Sequence, residues 1–124
     1  MKRVTREWVR KAEADFKAAK REARARAHDF VCFLCQQCAE KYIKALLQEN
    51  AVHVPHTHDL WHLAQLAAPL CPVLASMAPG LRSLTDSAVK YRYPGASATA
   101  RQAREAMRLA VDARKILRGA LGLK

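Results

Sequence analysis

Residues 32–47 read "CFLCQQCAEKYIKALL". Cys32, Cys35 and Cys38 recur at every third position. That spacing opens an iron–sulfur run and twice contains the Cys-x-x-Cys pair of a redox site. It also has a second meaning. A helix turns about 100° per residue, so three-residue steps of about 300° keep all three thiols on one side. With Val31 set at zero, Cys32, Cys35, Cys38, Ala39, Tyr42 and Leu46 fall between about −20° and +100°. Leu34 and Ala45 border that arc. Gln37, Glu40, Lys41, Lys44 and Gln48 occupy about 180° to 280°, and Phe33 lies among them at about 200°. A free cysteine on an apolar face acts as a small hydrophobe. An iron–sulfur run would need a fourth cysteine where Tyr42 stands, a proline after it, and a loop to wrap the cluster. "AEKYIKALL" is instead a strong helix former. The stretch therefore reads as an amphipathic helix ending near Glu49, with its thiols packed and holding no metal.

The helical period continues through most of the chain. Of 124 residues, 51% are hydrophobic, with only four Gly and five Pro, and β-branched and aromatic residues are sparse. This composition favours helix over strand. Thr5 is the expected cap of a first helix with Trp8, Ala12, Phe16, Ala19 and Ala23 inside, and a break is expected near Ala27 to Asp29. After the second helix, "NAVHVPHTH" is a loop. Thr57 is the expected cap of a third helix carrying Leu60, Leu63, Ala64 and Ala67 and ending at Pro69. "LCPVLASMAPG" reads as irregular or as a short turn of helix between prolines, with Pro79 starting a fourth helix that carries Leu81, Leu84, Ala88 and, at its end, Tyr91. "RYPGAS" ends it. Thr99 and Gln102 form a capping box for a last helix with Ala103, Ala106, Met107, Ala110, Val111 and Leu117 inside. The expected architecture is all-α: an up-and-down antiparallel bundle of four long helices plus a short one, in one domain spanning 1–124.

No segment approaches the run of apolar residues that a membrane span needs. "MKRVTREWVR" is charged with no apolar stretch behind it, unlike a signal peptide, so a cytoplasmic location with reduced thiols is expected. The formal net charge is +11, from 22 Lys and Arg against 11 Asp and Glu. Such a surplus attracts nucleic acid, nucleotides or an acidic partner. His58 and His62 stand at the i, i+4 spacing of a two-histidine metal site, but Asp59 occupies the place of a zinc-protease glutamate. A loop and helix start whose polar side chains bond free backbone N–H groups is the competing reading. There is no Gly-rich phosphate loop, no nucleophile elbow and no paired carboxylates in a plausible cleft. No catalytic residue, metal or cofactor is therefore assigned from the residues alone.

Taken in order, "FLCQQCAEKYIKALL", "HTHDLWHLAQL" and "YRYPG" before a final amphipathic helix resemble the HEPN domain family over residues 5 to 120. The matching positions are Gln36, Gln37, Glu40, Lys41, Lys44 and Ala45, then His58, Asp59 and Leu60, then Arg92, Tyr93 and Pro94. Trp8, Ala12 and Asp15 are similar to the family's first helix. The resemblance implies a bundle of four or five helices, often a homodimer, in one of two roles. Many members are partners of a minimal nucleotidyltransferase and are similar to the substrate-binding helical domain of kanamycin-modifying enzymes. Others are metal-independent ribonucleases with a late Arg-x₄₋₆-His motif facing a dimer cleft.

This chain has no histidine after His62, so the late motif is missing. Arg21 and His28 have the right spacing, but they lie between the first two helices. The expected function is thus a nucleotide- or substrate-binding subunit of a small nucleotidyltransferase, as in a toxin–antitoxin-like module, with Gln37, Lys41, Lys44, Arg92 and Tyr93 as contacts. Lys and Arg would meet phosphate through charge-assisted bonds, and Tyr93 would stack on a base. The competing readings are a ribonuclease using Arg21 and His28, and a stand-alone basic bundle that binds RNA or DNA.

Overall fold

A computed structural model describes all residues, 1–124, and contains five helices and no strand. They are α1 (Arg3–Arg24), α2 (His28–Glu49), α3 (Leu60–Ala67), α4 (Val73–Lys90) and α5 (Ala100–Ala120). Four long helices and one short one form the bundle that the hydrophobic period predicts. None is long and apolar enough to cross a membrane.

The stretch 32–47 forms the axis of the molecule. α2 packs against α1, α3, α4 and α5; α3 also packs on α4, while α5 meets α1 and α4 only slightly. Cys32, Cys35 and Cys38 are fully buried with Tyr42, Ile43, Leu46 and Leu47 in one core of 28 residues. α5 meets this core with a small-residue stripe, Ala103, Ala106, Ala110 and Ala113, continued by Leu117. Small side chains let the two backbones approach closely, and the Cys35 thiol lies 3.4 Å from the Met107 sulfur. All four cysteines are free.

Helix boundaries depart from the sequence expectations in three places. α1 begins at Arg3, and Thr5 is a buried residue of its first turns, not its cap. Asp59 caps α3, its side chain accepting from the N–H groups of Trp61 and His62, while the Thr57 hydroxyl accepts from Asp59 N. α4 begins at Val73 and runs straight through Pro79. A mid-helix proline costs about 3 kcal/mol. Here Leu74, Ala78, Leu81, Leu84 and Ala88 make one continuous buried stripe across it, and that burial outweighs the lost bond. The capping box at Thr99 and Gln102 is present as expected.

Three helices end in the same left-handed turn. After α1, Arg26 (φ 59) donates to Ala23 O, and Ala27 N to Glu22 O. After α2, Ala51 (φ 57) and Val52 make the equivalent bonds to Gln48 and Leu47. After α5, Gly122 (φ 76) and Leu123 repeat them. This is the Schellman arrangement, in which glycine is the usual left-handed residue. Only the third turn has one.

Candidate functional site

The polar arc of α2 is not a solvated face. α1 covers part of it, so Gln36, Glu40 and Lys44 are all buried, Glu40 and Lys44 to within 4% and 6% of full burial. Successive steps of four residues stack these side chains along one line of the helix. Glu40 is the hub. Its carboxylate accepts from Lys44 Nζ at 3.0 Å and from Gln36 Nε2 at 3.3 Å, and meets His58 Nδ1 at 2.9 Å. Gln36 Nε2 also donates to the His58 carbonyl at 2.7 Å. Lys44 Nζ lies 5.7 Å from the centre of the Trp8 ring on α1. The network therefore ties α1, α2 and the loop before α3 together, and it fixes where His58 stands.

Beside His58 a small cleft of about 160 Å³ opens between α2 and α4. Phe33, Gln36, Gln37, His58, Thr85 and Arg92 are among its walls. The Arg92 guanidinium stacks 5.2 Å from the Phe33 ring centre and has no carboxylate partner. Thr85 Oγ1 accepts from Leu60 N, which anchors the start of α3 on α4. The cleft thus presents two amides, an imidazole and a free guanidinium against an aromatic wall. Those groups suit an anion with a flat or apolar portion, held by charge-assisted bonds. Next to it, Asp29, Phe30, Phe33, Tyr91 and Arg92 line a shallower hollow, where Phe30 is 62% exposed.

The five contacts expected from the sequence are not all in one place. Gln37 and Arg92 line the cleft together. Tyr93 follows Arg92 in the turn before Gly95 and is exposed without lining the cleft. Lys41 pairs with Asp15 on α1. Lys44 is buried against Glu40 and Trp8, so its charge is already compensated inside the protein. His58, Phe33 and Thr85 join the cleft without having been singled out as contacts. Phe33 did carry a signal, as a large apolar side chain on a polar arc.

A second polar cluster clamps the middle of α1 to the C-terminal part of α5 across α2. Arg114 donates to both Glu13 oxygens at 2.7 Å. Tyr42 donates its hydroxyl to Glu13, and Arg118 donates to Tyr42 Oη at 3.0 Å. Bonding to Arg114 holds the Glu13 carboxyl down at about 2 against its desolvation, with help from Tyr42 and Arg118. Burial, then the Glu13 bond, pushes the Tyr42 hydroxyl up to about 12. Burial likewise raises the thiols, Cys32 to about 11 and Cys38 to about 12. No group of three His, Cys, Asp or Glu side chains is arranged to hold a metal ion. Arg21 and His28 do not share a pocket: His28 lines a groove against α5 that Arg21 does not reach.

Comparison with known proteins places this geometry. The HEPN domain model matches residues 5–120. The crystal structure of TT1696 from Thermus thermophilus superposes with a TM-score of 0.83 at 20% identity, covering 94% of this chain and 97% of that one. The crystal structure of ST0689, an archaeal HEPN homologue, is 30% identical with a TM-score of 0.74, and 98% of each chain is covered. Among curated proteins, none matches significantly.

Proposed function

The chain belongs to the HEPN domain family, and on that premise we propose that it is a non-catalytic subunit that binds a nucleotide or acceptor substrate for a small nucleotidyltransferase. The observation that carries this reading is the cleft between α2 and α4. Three segments far apart in the chain meet there: the Gln36–Gln37 pair, His58 before α3, and Arg92 after α4. Arg92 supplies a free cation for phosphate and Gln37 an amide that can donate and accept. Tyr93, one residue on and exposed, supplies in this reading a ring for stacking on a base. Lys41 and Lys44 serve the site through their partners Asp15 and Glu40, as positioning residues. The working unit in this reading is a homodimer in complex with the transferase.

Isothermal titration tests the reading with ATP as one ligand and the neighbouring gene's product as the other. Binding of either, weakened in Arg92→Ala, is the expected result. No heat with both ligands rules the reading out.

A further inference from the structure

The positive charge of this protein is segregated. α1 with the turn after it holds nine Lys and Arg against four acids, and α5 holds six against two. Between them α2 has two against three. Where the end of α1 and the start of α2 pass the N-terminal half of α5, a groove of about 510 Å³ opens. Arg26, His28, Arg104 and Arg108 line it over an apolar floor that includes Met107 and Val111. Arg108 is occupied by Glu105 and Asp112. Arg26 and Arg104 have no carboxylate partner. Asp29, the acid nearest in sequence to the groove's turn, accepts from Ala98 N at 2.6 Å. The groove also starts at the first turn of α5, where the helix dipole is positive.

Arg26 occupies the left-handed position of the Schellman turn after α1, the place that Ala51 holds after α2.

We infer that this groove binds the phosphodiester backbone of a single-stranded nucleic acid without reading its sequence. Arg26 and Arg104 can each meet a phosphate through charge-assisted bonds, and the apolar floor can take the sugars. At about 510 Å³ the groove is of small-ligand size, so it takes a short length of a flexible strand. Its lining has no Phe, Tyr or Trp ring on which a base could stack, only the His28 imidazole, so the main contact is to the backbone. The site shares no residue with the α2–α4 cleft.

The test is fluorescence anisotropy of the full chain with a labelled single-stranded RNA of about 12 nucleotides, a DNA of the same sequence, and the duplex. Each neutralised phosphate contributes about −0.7 to the log–log salt slope. The variant Arg26→Gly/Arg104→Ala should therefore flatten the slope by about 1.4 and weaken binding on the order of tenfold or more. Arg26→Gly removes the cation and relieves the turn, so a urea melt should show the single variant at least as stable as the parent. Arg3→Ala/Arg6→Ala, at the other end of α1, should change little, and RNA and DNA should bind within a few-fold of each other. An unchanged slope in the groove variant overturns the inference, as do an equal loss in the Arg3/Arg6 control and equally tight duplex binding. Arg92→Ala separates the two sites: it should impair ATP binding and leave the oligonucleotide bound.

Discussion

Glu40→Gln is the perturbation that probes the axis of this protein most directly. The substitution keeps shape and a hydrogen-bonding oxygen but removes the charge opposite Lys44, both side chains being buried. Breaking one side of a buried pair costs about 3–5 kcal/mol, because the other charge is left without compensation. Two features place this case at the low end. The glutamine oxygen still accepts from Lys44, and the Trp8 ring 5.7 Å away continues to attract the ammonium by about 1 kcal/mol. The expected loss is about 3 kcal/mol out of a total stability of roughly 5–15 kcal/mol. That corresponds to a melting point lower by about 12 °C for a chain of this length. Urea unfolding followed by far-UV circular dichroism at neutral pH measures it. The second arm is Glu40→Gln/Lys44→Met, which removes both charges and leaves an unbranched side chain against Trp8. It should recover about 2 kcal/mol of the loss. If Glu40→Gln is within about 0.5 kcal/mol of the parent, or the double variant is as unstable as the single one, the account of Glu40 as the counter-charge of Lys44 is wrong.

Three further outcomes follow from other parts of the structure. Glu13 titrates at 4.5 when unfolded and at about 2 when folded, so its stabilisation is complete above 4.5 and is lost as pH falls towards 2. Linkage gives about 3 kcal/mol, reduced to about 2 for solvent screening at a side chain that is partly exposed. The stability gap between the parent and Glu13→Gln should therefore close in acid, and a gap constant from neutral pH down to 2 would refute the assignment. The raised thiols of Cys32 and Cys38 should leave the folded protein inert to Ellman's reagent, with all four cysteines reacting once guanidinium unfolds it. Rapid native labelling of either would contradict their burial. Ala51→Gly should stabilise the chain by about 0.5–1 kcal/mol, the left-handed strain of about 1–2 kcal/mol less the entropy glycine adds to the unfolded state. A lower melting point for that variant would refute the turn geometry.

What the sequence made legible was periodic or local. The three-residue spacing of the thiols identified a buried helical face, and Thr99 with Gln102 marked the start of α5, because both depend only on neighbours within a turn or two. Pro79 misled because a local rule was outweighed by a stripe of buried side chains that extends on both sides of it. Glu40 and Lys44 looked solvent-facing because helical angle says which residues share a side, not what covers that side. That cover is α1, and Trp8 is the side chain that reaches Lys44. The candidate cleft was half legible. Gln37 and Arg92 were named separately, but their meeting depends on α2 and α4 packing side by side. The Arg114–Glu13 pair, 101 residues apart, had no local signature at all.

The position of α5 has a consequence for how the protein is made. Synthesis is vectorial, and α2 leaves the ribosome about 50 residues before α5 begins. Until then the face carrying Cys32, Cys35 and Cys38 lacks the helix whose Met107 lies against Cys35. The nascent α1–α2 hairpin therefore presents three thiols that the finished molecule conceals. Their exposure ends with release of the last helix, so oxidative damage at this face would be a lesion of chains in production. Adducts at these cysteines, found in cells under oxidative stress, would date the injury to translation.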